Sequence, residues 1–228
     1  FQYVQIFVIS NGTYTKYYSN TVRDQHIKEA SGTTRIKKTS NSYEFTSWWA
    51  DANNKPIYDL MSFGKTFFAK HSLLNILTKY CVFTSDQMLL TMRPYQIVAT
   101  ERVLQKIVMS ENQKTLGTLD AGGYVWHTTG SGKTLTSFKT AQIASKMASV
   151  DKVLFVVDRK DLDYQTMKEY DRFQEGAANA SNSTKQLKER LEDSSAKIII
   201  TTIQKLSMFI AQNPNHAIQT KRVVLIFD

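Results

Sequence analysis

The sequence predicts an α/β fold built on a mostly parallel β-sheet with helices on both faces. Three observations carry that expectation. Beyond Gly117, short runs of β-branched and aromatic residues alternate with segments of helical periodicity. One of these alternations holds Thr128-Thr129-Gly130-Ser131-Gly132-Lys133-Thr134, the pattern of a phosphate-binding loop between a strand and a helix. Of the 228 residues, 42% are hydrophobic and 11% aromatic, enough for a sizeable core, and the 21% that are charged are too few to keep the chain unfolded.

The elements follow in order. Residues 3–18 hold two β-rich runs flanking Asn11-Gly12, a strong hairpin signal. Residues 20–42 are polar and charged, as expected of surface loop and short strand. Residues 45–60 have no clean period. Trp48 and Trp49 are read as packing at a domain junction, with an exposed stacking platform as the other reading. Ser72 can cap a helix carrying Leu73, Leu74, Ile76 and Leu77. A second helix starts at Pro94 and places Ile97, Leu104, Ile107 and Val108 on one face. Strand-like runs then occupy residues 124–126, 153–157, 197–202 and 223–227, each expected to be covered on both faces. Between and around them lie helical segments at about 134–149, 161–173, 184–193 and 203–211. Ser183 and Gln186 make a capping box for the third. Residues 176–183 are small and polar and read as an exposed loop.

The chemistry concentrates in the phosphate loop. Gly130 and Gly132 let the backbone turn its N–H groups toward phosphate oxygens. Lys133 is placed against the outer phosphates, and Thr134 offers a hydroxyl to Mg²⁺ where a helix N-terminus faces the anion. Thr129 and Ser131 complete the cradle. The full pattern, G-x-x-x-x-G-K-[ST], has His127 where the first glycine is usual. That position adjoins the strand, so a side chain fits there if φ is negative. His127 is read as a structural residue at the strand end, with a catalytic or sensing role as the alternative. Such a loop also needs a carboxylate for the metal after another strand of the same sheet, and Asp228 closes the run 223–227.

The formal net charge of +9 is compatible with a polyanionic partner without requiring one. Cys81 is the sole cysteine, so no internal disulfide forms, which fits a reducing, cytoplasmic setting; packing as a small hydrophobe is its expected role. No apolar run approaches the ~20 residues of a membrane span, so no membrane partner is expected. The sequence opens at Phe1 in one strand-like run and stops at the end of another, and reads as a piece of a larger protein.

The stretches MRPYQIVATERVL, GGYVWHTTGSGKTLTSF, VVDRKDLDYQ, IIITTIQKL and VVLIFD follow the order of superfamily 2 helicase motifs. Their wording resembles the restriction (R) subunit of type I restriction-modification enzymes, as do YVQIFVISNGTYTKYYSNT and NILTKYCVFT, so the resemblance covers nearly the whole chain. It implies an ATP- and Mg²⁺-dependent motor on double-stranded DNA, assembled with methyltransferase and specificity subunits. It implies residues 91–228 as a first RecA-like lobe ending at motif II, residues 53–90 as a helical connector, and residues 1–52 as the C-terminal part of a PD-(D/E)xK nuclease-like domain. Arg93 and Gln96 match the Q-motif region that reads adenine. Arg159 and Lys160 match a motif touching the DNA backbone, although a solvated pair is the other reading, and Thr202 and Gln204 match the next such motif.

Departures from the family pattern limit what these residues do alone. No Glu-x-Lys occurs, so the nuclease signature is absent and no nuclease catalytic residue is assigned. Motif II shows only Asp228, and the second lobe with its arginine finger is not among these residues. The 228 residues are therefore expected to bind nucleotide weakly and hydrolyse it negligibly. Two alternatives stand beside the motor. A kinase would need an acceptor pocket and a lid and would not carry VDRKDL and TTIQKL. A docking module for the methyltransferase core, stabilised by nucleotide but inert, is compatible with the residues.

Overall fold

A computed structural model of the chain describes residues 4–23, 43, 45–158, 160–176, 179–181 and 183–227. The chain divides into two compact units, 1–99 and 100–228.

The first unit carries an antiparallel sheet in the order β1 (Ile6–Ser10), β2 (Thr15–Ser19), β3 (Ser47–Ala50), β4 (Pro56–Ile57). The expected hairpin forms, but its loop spans four residues rather than two. The Asn11 side chain accepts from the N–H groups of Thr13 (3.1 Å) and Tyr14 (2.8 Å), and Gly12 sits at φ 90°. An Asx-type turn thus replaces the tight Asn-Gly turn. Strict alternation along β2 buries Thr15, Tyr17 and Ser19. Tyr17 joins Phe63 and Phe67 of α1 (Leu60–Phe67) and Ile76 of α2 (Lys70–Thr78) in the core. Its hydroxyl donates to Met92 O at 3.1 Å, and burial raises its pKa. Helix α2 begins at Lys70 with Ala69 as N-cap, so Ser72 lies in its first turn and is not the cap. Trp48 and Trp49, expected at a junction, lie within this unit's sheet. Successive strand residues face opposite sides, so Trp49 enters the core while Trp48 meets Tyr14, Tyr58 and the Lys16 ammonium, 4.5 Å from its ring centroid. A two-stranded ladder, β5 (Cys81–Phe83) and β6 (Leu89–Thr91), completes the unit; Cys81 is half-buried and packs on the core.

Helix α3 (Pro94–Asn112) contains the boundary and starts at Pro94, as the sequence indicates. The second unit is a parallel sheet in the order β10 (Val223–Phe227), β7 (Lys152–Val157), β9 (Ile198–Thr202), β8 (Asn179–Ala180). Alternation along β7 sends Leu154 and Val156 to one face, where they meet Leu187 and Leu191 of α6 (Thr184–Glu192) and Phe209 of α7 (Ile203–Gln212). Phe155 points to the other face and packs against Tyr170 of α5 (Lys160–Phe173), which in turn meets Phe138 of α4 (Lys133–Ala144) edge-on. Helices therefore cover both faces of β7 and β9, whose described residues are all buried. Ser183 caps α6 by accepting from Gln186 N–H at 3.1 Å.

Three expectations fail here. Residues 124–126 form no strand: Tyr124 is 90% exposed and Trp126 87%, and no described strand pairs with them. Three apolar residues without a ladder partner do not stay extended as a strand. Strand β10 is not covered on both faces, since Leu225 and Phe227 are exposed. Residues 176–183 are not all loop, because Asn179–Ala180 pair with Ile199 and Ile200 and Ser181 is fully buried.

Candidate nucleotide site and the adjoining loops

The phosphate loop takes the shape its glycines permit. Gly130 (φ 77°) and Gly132 (φ 81°) both occupy the left-handed region that side chains resist. Between them the turn closes on one acceptor, Thr128 O, which receives the Ser131 N–H at 3.2 Å and the Ser131 hydroxyl at 2.6 Å. Gly132 is the N-cap of α4, and no side chain caps this helix. Its first N–H groups are thus the donors that an anion would satisfy. Thr129, Gly130 and Lys133 are exposed and Ser131, Gly132 and Thr134 half-buried, so the cradle is open to a phosphate.

His127 adopts ordinary backbone geometry: the positive-φ non-glycines among the described residues are Asn54, Gln87 and Lys114. A side chain is therefore tolerated where a glycine is usual. Burial, with the neighbouring Lys133 charge second, holds its imidazole pKa below the usual 6.5.

The helix behind the loop is bolted on both sides. Thr140 on α4 donates to Thr100 of α3 at 3.3 Å, and Tyr170 of α5 donates to Ser137 Oγ at 3.1 Å. Ser137 in turn donates to Thr134 O at 3.0 Å. Sequence reasoning did not find these ties, because isolated Ser, Thr and Tyr residues carry no motif.

Arg93 and Gln96 belong to the first unit. Gln96 is buried and its Oε1 accepts from Arg93 N–H at 2.8 Å, half of a capping box at the start of α3. Thr202 is buried and caps α7, accepting from Lys205 N–H at 3.3 Å. Gln204 is exposed and reaches across to donate to Asp158 O at 3.1 Å. Lys160 opens α5. Arg159 and Asp228 lie outside the described residues. The structure thus ties the first turn of α7, which directly follows β9, to the exit of β7 through Gln204. No cluster of three or more His, Cys, Asp or Glu that could hold a metal occurs among the described residues.

Residues 95–228 match the SWI2/SNF2 ATPase family. The chain is 50% identical over 186 residues to the C-terminal part of the type I restriction enzyme MpnIIP endonuclease subunit of Mycoplasma pneumoniae, covering 79% of this chain and 90% of that relative. The chain belongs to the endonuclease subunits of type I restriction enzymes. It is 39% identical along its whole length to the SauMSSORF170P endonuclease subunit of Staphylococcus aureus, but spans only 22% of that protein. The EcoprrI endonuclease subunit of Escherichia coli is 49% identical over 116 residues, 51% of this chain and 33% of that one. The matched ATPase region contains the phosphate loop, both capped helices α6 and α7, and the parallel sheet of the second unit. No described helix is long and apolar enough to cross a membrane.

Proposed function

We propose that this chain carries the ATP-binding lobe of a DNA-translocating motor within a type I restriction endonuclease subunit. The observation that carries it is the N-terminus of α4, which no side chain caps, behind two left-handed glycines, with Lys133 exposed beside it. That arrangement fits a nucleoside triphosphate. The N–H groups of Gly130 and Gly132 would hold phosphate oxygens and Lys133 the outer ones, while Ser131, whose N–H and hydroxyl both donate to Thr128 O, would hold the turn between the glycines. Thr129 would line the cradle, and Thr134 with Asp228 would hold Mg²⁺, whose charge offsets that of the phosphates. Lys160, Arg159, Thr202 and Gln204 would track a DNA backbone, with Thr202 acting through the cap it makes. Residues 91–228 would be the first RecA-like lobe, 53–90 a connector, and 1–52 the end of a nuclease-like domain. In the assembled enzyme the partners would be double-stranded DNA and the methyltransferase and specificity subunits.

The attacking water and the developing charge need groups from a second lobe, so the 228 residues alone would hydrolyse ATP negligibly. Steady-state ATPase of the purified chain tests this directly. Turnover at the rate of an intact motor would contradict it.

A further inference from the structure

The first turn of α7 holds more than its own cap. Strands β7, β8 and β9 run parallel, so Asp158 and Ser181, which follow β7 and β8, and Thr202, which ends β9, lie at one end of the sheet. Gln204 Nε2 donates to Asp158 O on the β7 side at 3.1 Å. Lys205 Nζ donates to Ser181 O on the β8 side at 2.5 Å. Lys205 N–H meanwhile donates to Thr202 Oγ1 at 3.3 Å. One helical turn therefore fixes the exits of three neighbouring strands. Ser181 is fully buried and its own hydroxyl is used on Ile200 O, so its carbonyl is a firm anchor for the ammonium.

We infer that Lys205 is a positioning residue: it sets the spacing of the C-terminal exits of β7, β8 and β9 so that the residues there meet the DNA backbone together. This rests on the motor reading above. The ammonium, directed at Ser181 O and half-buried, serves as a strut within that end of the sheet and not as a phosphate contact. A lysine in a basic chain invites the opposite reading, and the two differ in what salt does. A phosphate contact contributes about one to the slope of log affinity against log salt, whereas a strut contributes nothing to it.

The test uses the intact endonuclease subunit with duplex DNA, comparing wild type, Lys205→Met and Lys205→Arg. We expect Lys205→Met to lower DNA-stimulated ATP hydrolysis by between about ten- and a hundredfold, the range in which an ångström-scale misplacement acts. Its DNA-free ATPase should stay unchanged, as should the salt slope of DNA binding, while Tm falls by a few degrees because the buried Ser181 carbonyl loses its donor. Lys205→Arg, which can still reach the Ser181 carbonyl, should restore stimulation. A salt slope reduced by about one in Lys205→Met would make the residue a phosphate contact and overturn the inference. Unchanged stimulation in Lys205→Met would overturn it as well, and wild type without DNA stimulation would overturn the motor reading with it. If Lys205→Met fails to fold, Lys205→Gln, whose shorter side chain falls short of the Ser181 carbonyl, should lose stimulation with an unchanged salt slope; retained stimulation would overturn the inference.

Discussion

At the scale of residues, His127 and Gly130 show how burial and backbone conformation shape the candidate site. The unfolded imidazole titrates near 6.5, whereas the folded one titrates lower because burial and Lys133 oppose its charge. The unfolded chain therefore takes up the proton first, and stability is lost as pH falls through 6.5 toward the folded value. His127→Gln should lose less stability than wild type between pH 7 and pH 5.5, read by thermal melts in matched buffers; equal losses would show that His127 is not so coupled. Gly130 has open space where a methyl group would stand but sits at φ 77°, so only backbone strain opposes a side chain. Gly130→Ala should destabilise the loop by roughly 1 kcal/mol and weaken nucleotide binding several-fold, measurable by titration. The loop's residues were legible because its chemistry fixes both residue type and spacing. Lys205 was not, because a lysine donating to a distant carbonyl leaves no local pattern.

At the scale of elements, capping and burial explain which expectations held. Helices α6 and α7 lie where Ser183 and Thr202 accept from N–H groups three residues ahead. Strands β7 and β9 were readable because a strand buried on both faces needs an unbroken apolar run. The run at 124–126 has the same composition, yet a strand also requires a partner edge, which composition does not encode. Strand β8 failed in the other direction: two small residues pair with β9 although nothing in their side chains favours a strand. Buried Lys152 is an element-scale strut, its ammonium donating to Ala196 O at 2.7 Å and to the carbonyls of Arg190 and Asp193 at the C-terminal end of α6. Lys152→Met should cost about 2 kcal/mol, because buried carbonyls lose their donor. Chemical denaturation measures this; a change below about 0.5 kcal/mol, the usual range for surface substitutions, would show that water replaces the ammonium. Tyr170→Phe, which releases Ser137, should cost about 1 kcal/mol by the same measurement.

At the scale of the whole molecule, the family and the site point the same way. The chain matches an ATPase family over the unit that contains the phosphate loop, and belongs to restriction endonuclease subunits along its length. With a net charge of +9, its DNA affinity in the intact subunit should fall steeply with salt and be indifferent to sequence. Sequence-dependent, salt-insensitive binding would contradict a motor that follows the backbone. The central claim is that residues 128–134 form a working nucleotide site with His127 in place of glycine. Calorimetric titration of ATP·Mg²⁺ into the intact subunit and its Lys133→Ala variant tests it most directly. Saturable binding by the first and its loss in the second are expected; equal binding by both, or none by either, would contradict the claim.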